Sequence, residues 1–280
     1  MFLTKPHKIP VFYHIPKNAG TYVSDWFLIS FRYYRRTYTD WLKNYSPEND
    51  SIRCLYIIND GVIIARLLIG DPNCFCGVDY SKCNINLKDL SLDFFQNIFL
   101  FGIIIESNGF KLKTDILNLF SSFELYQFMI LRDSFSRAQS IYNYNKSEKS
   151  KHDYSHGLVK AKTFEDYILS EQLEDSWLIR NLSQIEDTIP LDEIHFNCTK
   201  KILNDFKVYD IKETDKAIQQ VFLECYNFDT QKIKLNAWDT LEKNITTNKK
   251  IKFEELSKES QLIFTKRTYW DCELYKTFIK

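Results

Sequence analysis

The sequence predicts an α/β protein with a central, mainly parallel sheet flanked by helices and a mostly helical C-terminal half. Apolar segments of strand length recur at residues 10–15, 98–105 and 125–131, and helical spacing follows the first and the last of them. Beyond about residue 160 the apolar spacing is mainly helical. We therefore expect a single domain over residues 1–280, in which residues 146–280 complete an α/β core formed by residues 1–145.

Local patterns justify each element in turn. Apolar positions from Val23 to Tyr34 recur at three- and four-residue spacing, which predicts a helix after the first strand. The segment Asn59-Asp60-Gly61 predicts a tight turn between two apolar strands. Asp133 or Ser134 can cap a helix that continues through Tyr144. Further helices are expected within residues 164–173, 174–185, 214–228 and, as one final helix, 258–278.

Composition and charge narrow the class of protein. Of 280 residues, 44% are hydrophobic and 26% charged, as in ordinary globular proteins, and the 37 basic residues balance the 37 acidic ones. A general nucleic-acid binder normally carries a basic excess, so no nucleic-acid partner is expected. The longest apolar segments are too short to span a bilayer, and the N-terminus lacks the apolar core of a signal peptide. We expect a cytoplasmic protein; the alternative is a lumenal catalytic domain separated from its anchor.

The seven cysteines favour reduced thiols over a disulfide framework, because their number is odd and no C-x-x-C spacing repeats. Cys74, Cys76 and Cys83 lie close together in sequence but lack a fourth ligand at the usual spacing of a zinc site. No metal is therefore expected.

The segment HIPKNAGT, residues 14–21, has the pattern of an anion-binding loop between a strand and a helix. Such a junction directs free backbone N–H groups and the positive end of the helix dipole towards one point. Gly20 permits close backbone approach, Thr21 adds a hydroxyl, and Lys17 adds a mobile positive charge. The loop is not a Walker A sequence, in which the lysine directly follows the second glycine and precedes a metal-binding Ser or Thr. Phosphate binding without a metal is the better interpretation.

HIPKNAGT resembles the 5′-phosphosulfate loop of sulfotransferases that use 3′-phosphoadenosine 5′-phosphosulfate (PAPS), which has a PKxxGT core. The likeness is greatest to the branch that contains the heparan- and chondroitin-sulfate sulfotransferases. A second segment, LRDSFSRAQSIY at residues 131–142, resembles their 3′-phosphate motif LRDPxxRxxSxY, with Ser134 in place of the proline. A weaker likeness extends to SWLIRNLS and WDCELY. The resemblance implies a P-loop-like central sheet and places the nucleotide-binding core within residues 1–145.

The resemblance also implies roles for individual residues. Lys17 would lie near the oxygen that bridges phosphate and sulfate, where a cation stabilises the charge that develops as the S–O bond breaks. Arg132 and Ser140 would hold the 3′-phosphate, and we expect Arg137 to be structural and to brace the loop by an ion pair. Arg180 and Trp177 would approach the adenosine, or else be a surface charge and a core side chain. The 5′-phosphosulfate would be held by the loop residues Lys17, Asn18, Ala19, Gly20, Thr21 and Tyr22.

Relatives remove the acceptor proton with a histidine or a glutamate. The corresponding segment, FGIIIESNGFKL, contains no histidine, so Glu106 at the end of its strand is the candidate base. His152 and His156 are the alternatives, and we expect His14 to orient the loop.

The function implied is transfer of a sulfuryl group from PAPS to a hydroxyl acceptor by in-line displacement, which leaves adenosine 3′,5′-bisphosphate. The resemblance implies a glycan acceptor. Basic residues follow both motifs and would either flank the cleft, where an anionic glycan could lie, or form solvated helix faces: Arg32, Arg35, Arg36, Lys146, Lys149 and Lys151. A magnesium-dependent phosphoryl transferase of the nucleotide-kinase type and a degenerate member that binds nucleotide or glycan without turnover remain alternatives. The sequence leaves the oligomeric state open.

Overall fold

The computed structural model describes residues 8–20, 22–24, 26–27, 53–69, 84–90, 100–146, 160–227, 229 and 250–279. Within these ranges, seven strands form one mostly parallel sheet in the order β4-β2-β3-β5-β1-β6-β7. The predicted α/β class with a central, mainly parallel sheet is therefore confirmed. The strands are Ile9–His14 (β1), Arg53–Asn59 (β2), Val62–Ile69 (β3), Asn84–Asn86 (β4), Leu100–Glu106 (β5), Leu125–Leu131 (β6) and Lys207–Asp210 (β7).

Helices account for most of the described second half of the chain, as the apolar spacing predicts. Helix α1 comprises residues 20, 22–24, 26 and 27 of the described chain. The helices that follow are Lys113–Asn118 (α2), Ser134–Asn145 (α3), Phe164–Leu169 (α4), Trp177–Ser183 (α5), Glu193–Asn204 (α6), Thr214–Tyr226 (α7), Lys258–Arg267 (α8) and Tyr269–Phe278 (α9).

The chain divides into two compact units that exchange segments along the sequence. The first unit comprises Met1–Ile15, Ala19–Ile130 and Lys212–Glu242. The second unit comprises Pro16–Asn18, Leu131–Ile211 and Lys243–Lys280. In each unit, the structure describes only the residues within the ranges given above. The expected single domain over residues 1–280 stays a prediction.

In the first unit, β1 runs parallel to both of its neighbours, β5 and β6. Residues Ile9 to Tyr13 are all buried, because a central parallel strand is covered on both faces and so carries a continuous apolar run. His14 ends this strand as its first less buried residue, and its register partner on β5 is Glu106. The two polar side chains thus meet at the carboxyl edge of the sheet, where ligands of open α/β sheets bind.

The tight turn between β2 and β3 is confirmed. The two strands are antiparallel, and both central turn residues have positive φ, 49° at Asp60 and 77° at Gly61. This backbone matches the right-handed twist of the flanking strands and favours an Asp-Gly pair.

The prediction of one final helix over residues 258–278 is wrong, because the structure divides it into α8 and α9. The break falls at Thr268, which has φ −101° and ψ 10°. The Thr268 hydroxyl donates a hydrogen bond to the Phe264 carbonyl at 2.9 Å, four residues earlier. Such a side-chain bond to the preceding turn bends helices, and the apolar spacing of the sequence does not reveal it.

Candidate functional site

The loop between β1 and α1 has an unusual backbone. Lys17 and Ala19 both adopt left-handed conformations, with φ 66° and 62°, whereas Gly20 is already helical. Left-handed backbone is uncommon for residues other than glycine, and strained residues of this kind cluster at ligand sites. The anion site that the sequence predicts in this loop stays a prediction.

Gly20 is required at its position because the ring of His14 lies against its Cα. A Cβ added at Gly20 would come within 2.6 Å of three imidazole atoms, Nε2, Cδ2 and Cε1. A side chain at this position would displace either His14 or the start of α1. The Nε2 end of the His14 ring faces Gly20, the residue at which the loop enters the helix. This contact agrees with the expectation that His14 orients the loop.

Glu106, the candidate base, is held by two cationic or hydrogen-bonding partners within the first unit. Its Oε2 lies 2.6 Å from His14 Nδ1, and its Oε1 accepts hydrogen bonds from the guanidinium of Arg66. The carboxylate is only 15% exposed. Burial alone would raise the pKa of the Glu106 carboxyl, but the hydrogen bond and charge of His14, together with Arg66, outweigh burial and hold this pKa below its ordinary value.

Arg66 is the member of this cluster that the sequence analysis did not identify. It is a half-buried arginine in the otherwise apolar strand β3, VIIARLLI. A charged side chain within such a strand requires a partner, since an unpaired buried charge is strongly unfavourable. A single charge in an apolar strand could have indicated a buried ion pair. The sequence does not show that the partner is Glu106, 40 residues away.

The remaining loop residues are placed as follows. Asn18 is buried, and the Ala19 carbonyl accepts the first hydrogen bond of α1, from Val23 at 2.9 Å. The Tyr22 hydroxyl donates to Asp215 Oδ1 at 2.5 Å, and burial together with Asp215 raises the pKa of Tyr22 to about 12. Tyr22 therefore has its side chain engaged by α7. Thr21 lies outside the described residues.

In the second unit, Arg132 connects the two predicted motifs. Its Nη1 donates to the Lys17 carbonyl at 3.2 Å, so the end of β6 is bonded to the first part of the loop. Asp133 caps α3 by accepting from the Ser136 N–H at 2.8 Å, which confirms the predicted cap. Burial lowers the pKa of the Arg132 guanidinium, and the Asp133 charge offsets part of this change. A partly desolvated cation with one neutral acceptor is stabilised further by an anion.

The Lys17 side chain lies over an aromatic ring of α3. Its Nζ is 3.7 Å from the centroid of the Tyr144 ring, within the range of a cation–π interaction. Ser140 lies one turn before Tyr144 on the same helix face and is half-buried. Lys17 thus contacts residues on both sides of Ser140 in the sequence. Its carbonyl accepts from Arg132, and its side chain lies over Tyr144. Tyr144 was not identified from the sequence; its signal is the four-residue spacing from Ser140.

Arg137 and Arg180 take structural positions in the second unit. The Arg137 guanidinium carbon stacks 4.2 Å from the centroid of the Trp177 ring, which joins α3 to α5. Within the described part of the chain, its Nε is buried without a hydrogen bond. Arg180 is 5% exposed and donates to the carbonyls of Asp175, Glu186 and Ile189 and to the Asp175 carboxylate. The surface-charge interpretation of Arg180 is therefore wrong.

Several predicted residues lie outside the described part of the chain. These are the alternative bases His152 and His156, the cysteines Cys74, Cys76 and Cys83, and the basic residues Arg32, Arg35, Arg36, Lys149 and Lys151. Lys146 is described and exposed, with its Nζ 4.9 Å from the Tyr142 ring centroid.

Comparisons with known proteins found no match, either to a family model or to a curated protein sequence. Within the described ranges, none of the helices has the length and apolar character needed to cross a membrane. In the same ranges, no three His, Cys, Asp or Glu side chains gather as a metal-binding group would require.

Proposed function

We propose that the protein transfers a sulfuryl group from PAPS to a hydroxyl acceptor, a carbohydrate, and releases adenosine 3′,5′-bisphosphate. The observation that carries this proposal is the hydrogen bond from Arg132 to the carbonyl of Lys17, a residue with left-handed backbone. It joins the two segments whose sequences resemble the 5′-phosphosulfate loop and the 3′-phosphate motif. PAPS carries one phosphate at the 3′ position and another at the 5′ position of the same ribose, so a protein that binds it needs two anion sites at a fixed spacing. This hydrogen bond supports such an arrangement.

The proposed role of Lys17 is to assist departure of the leaving group. As the S–O bond breaks, negative charge develops on the phosphate oxygen, and a positioned cation lowers the energy of that state. Its Nζ lies over Tyr144, so the ammonium has a defined position near the loop before any ligand binds.

Arg132 and Ser140 are proposed to bind the 3′-phosphate. Arginine presents a planar fork of donors that matches phosphate oxygens, and among the described residues the Arg132 fork makes one hydrogen bond, to the Lys17 carbonyl. Ser140 supplies a hydroxyl from the second turn of α3.

Nucleotide binding without turnover is the second candidate, and one observation favours it. The Glu106 carboxylate pairs with both His14 and Arg66, and its pKa is held below the ordinary value. A carboxylate stabilised in this way is a weak proton acceptor when it acts alone.

Calorimetry with adenosine 3′,5′-bisphosphate and with ATP, both without magnesium, tests the proposal. We expect micromolar affinity for the bisphosphate, a strong preference over ATP, and a loss of about 10- to 150-fold for Arg132→Ala, since hydrogen bonds to charged groups contribute about 1.5–3 kcal/mol. Lys200→Ala is the matched control, because it removes one positive charge from an exposed position on α6 of the same unit. Preference for ATP once magnesium is added would refute the proposal in favour of a phosphoryl transferase. Bisphosphate binding without turnover of PAPS would establish the second candidate.

A further inference from the structure

Arg66, Glu106 and His14 form a chain in which an arginine holds a carboxylate and the carboxylate holds an imidazole. Glu106 Oε2 lies 2.6 Å from His14 Nδ1, and the other carboxylate oxygen is held by Arg66. An ionised carboxylate only accepts hydrogen bonds, so His14 donates its Nδ1–H to Glu106. In the neutral form of the imidazole, the second nitrogen, Nε2, then carries a lone pair. The hydrogen bond to Glu106 thereby fixes the tautomer of His14.

The position of Nε2 connects this cluster to the anion loop. The face of the imidazole at its Nε2 end lies against Gly20, the residue at which the loop enters α1. His14 is 19% exposed at its side chain, whereas both oxygens of Glu106 are occupied by their two partners. The nitrogen that can accept a proton is thus on the loop side of the cluster, and the carboxylate is behind it.

We propose that His14 Nε2 receives the proton of the acceptor hydroxyl, and that Glu106 and Arg66 are positioning residues for His14. The inference rests on the proposed sulfuryl transfer. The acceptor oxygen forms a bond to sulfur while the bond from sulfur to the phosphate oxygen breaks, and that oxygen leaves with the electron pair. The hydroxyl proton passes to His14 Nε2. Glu106 stabilises the resulting imidazolium, and Arg66 keeps Glu106 ionised.

This arrangement also explains why a carboxylate with a lowered pKa can take part in base catalysis. Glu106 alone would be a poor proton acceptor, but a carboxylate that remains ionised is suited to orient and stabilise an imidazolium. The low pKa that argues against Glu106 as a direct base therefore agrees with a positioning role.

Two measurements on the whole protein test the inference. Imidazole ¹⁵N NMR reports the tautomer of His14, and we expect protonation at Nδ1 in the wild type and loss of that preference in Glu106→Gln. Protonation at Nε2 in the wild type would overturn the inference without reference to activity.

The second measurement is release of adenosine 3′,5′-bisphosphate from PAPS, with chondroitin and heparin oligosaccharides as acceptors. We expect His14→Asn to lower turnover about 100-fold or more, as removal of a general base does, with bisphosphate affinity by calorimetry unchanged within threefold. The double variant His14→Asn/Glu106→Gln should be no slower than His14→Asn alone, because Glu106 acts on the reaction only through His14. His195→Asn is the matched control, because His195 pairs with Asp192 in a helix cap at 2.7 Å and should keep full turnover.

The outcomes distinguish the role of His14 from the proposed sulfuryl transfer. Full turnover in His14→Asn, or multiplicative losses in the double variant, would overturn the role of His14 and leave the proposed function standing. Absence of bisphosphate binding in the wild type would overturn the proposed function and this inference together.

Discussion

Two arginines of the second unit, Arg180 and Arg132, occupy contrasting environments. Arg180 is buried and donates to three carbonyls and one carboxylate, all within 2.9 Å. Arg132 is half-buried and makes one bond within the described chain, to the Lys17 carbonyl. A cation whose donors are satisfied by the protein serves the fold, whereas one that is partly desolvated with donors remaining is suited to an anionic ligand. The comparison distinguishes two residues that look alike in sequence.

The largest expected effect that tests this comparison is on stability. Arg180→Ala should lower the free energy of unfolding by about 3–5 kcal/mol, because it removes four hydrogen bonds that a buried cation donates. Arg132→Ala should lower it less, by about 1.5 kcal/mol, as for one hydrogen bond that involves a charged group. Urea unfolding of both variants provides the measurement. Equal losses would show that Arg132 is a structural residue as well, and the distinction would fail.

A second structural contact in this unit involves Asp271, which is buried and accepts from the N–H groups of Leu178 and Ile179 at 3.0 and 3.1 Å. Burial raises the pKa of Asp271 to about 6, against the opposing effect of these bonds and of Arg137. A carboxyl whose pKa is raised by folding stabilises the protein while it is protonated. That contribution is complete below the unfolded pKa near 4 and is lost as the pH rises through about 6.

We therefore expect the free energy of unfolding to include a contribution that falls by roughly 2–3 kcal/mol between pH 4 and pH 7, since one pKa unit corresponds to about 1.4 kcal/mol. Asp271→Asn cannot titrate, so the difference in unfolding free energy between it and the wild type should change by that amount over this range. Urea titrations at several pH values measure it. A difference independent of pH would mean that Asp271 titrates alike in the folded and unfolded chain.

Patterns confined to a few neighbouring residues were predictable. The buried strands before both motifs, the Asp60-Gly61 turn and the Asp133 cap follow from apolar runs and local hydrogen bonds, which the sequence displays directly. The short strand β7 was missed because KVYD is four residues long and lies within a helical pattern. Helix α6 was also missed, although Asp192 and His195 form a recognisable capping box at its start.

Contacts between distant residues were not predictable from one sequence. Glu106 was a candidate because it ends an apolar strand, but its pairing with Arg66 and His14 depends on the register of three strands. Likewise, the position of Lys17 over Tyr144 joins residues far apart in the chain. The spacing of residues in the sequence identified side chains that are suited to an anion site. The register of the strands decides which of those side chains pair with one another.

The smallest expected effect concerns the aromatic contact of Lys17. Cation–π contacts at partly exposed sites contribute about 0.5–1 kcal/mol, so Tyr144→Leu should slow PAPS turnover about two- to fivefold by loosening the ammonium group. Tyr144→Phe keeps the ring and should retain wild-type turnover. Lys200→Ala removes an exposed lysine on α6 and should have no effect. If Tyr144→Phe were as slow as Tyr144→Leu, the hydroxyl rather than the ring would be the important group, and Lys17 would depend on a hydrogen-bond network instead of the aromatic face.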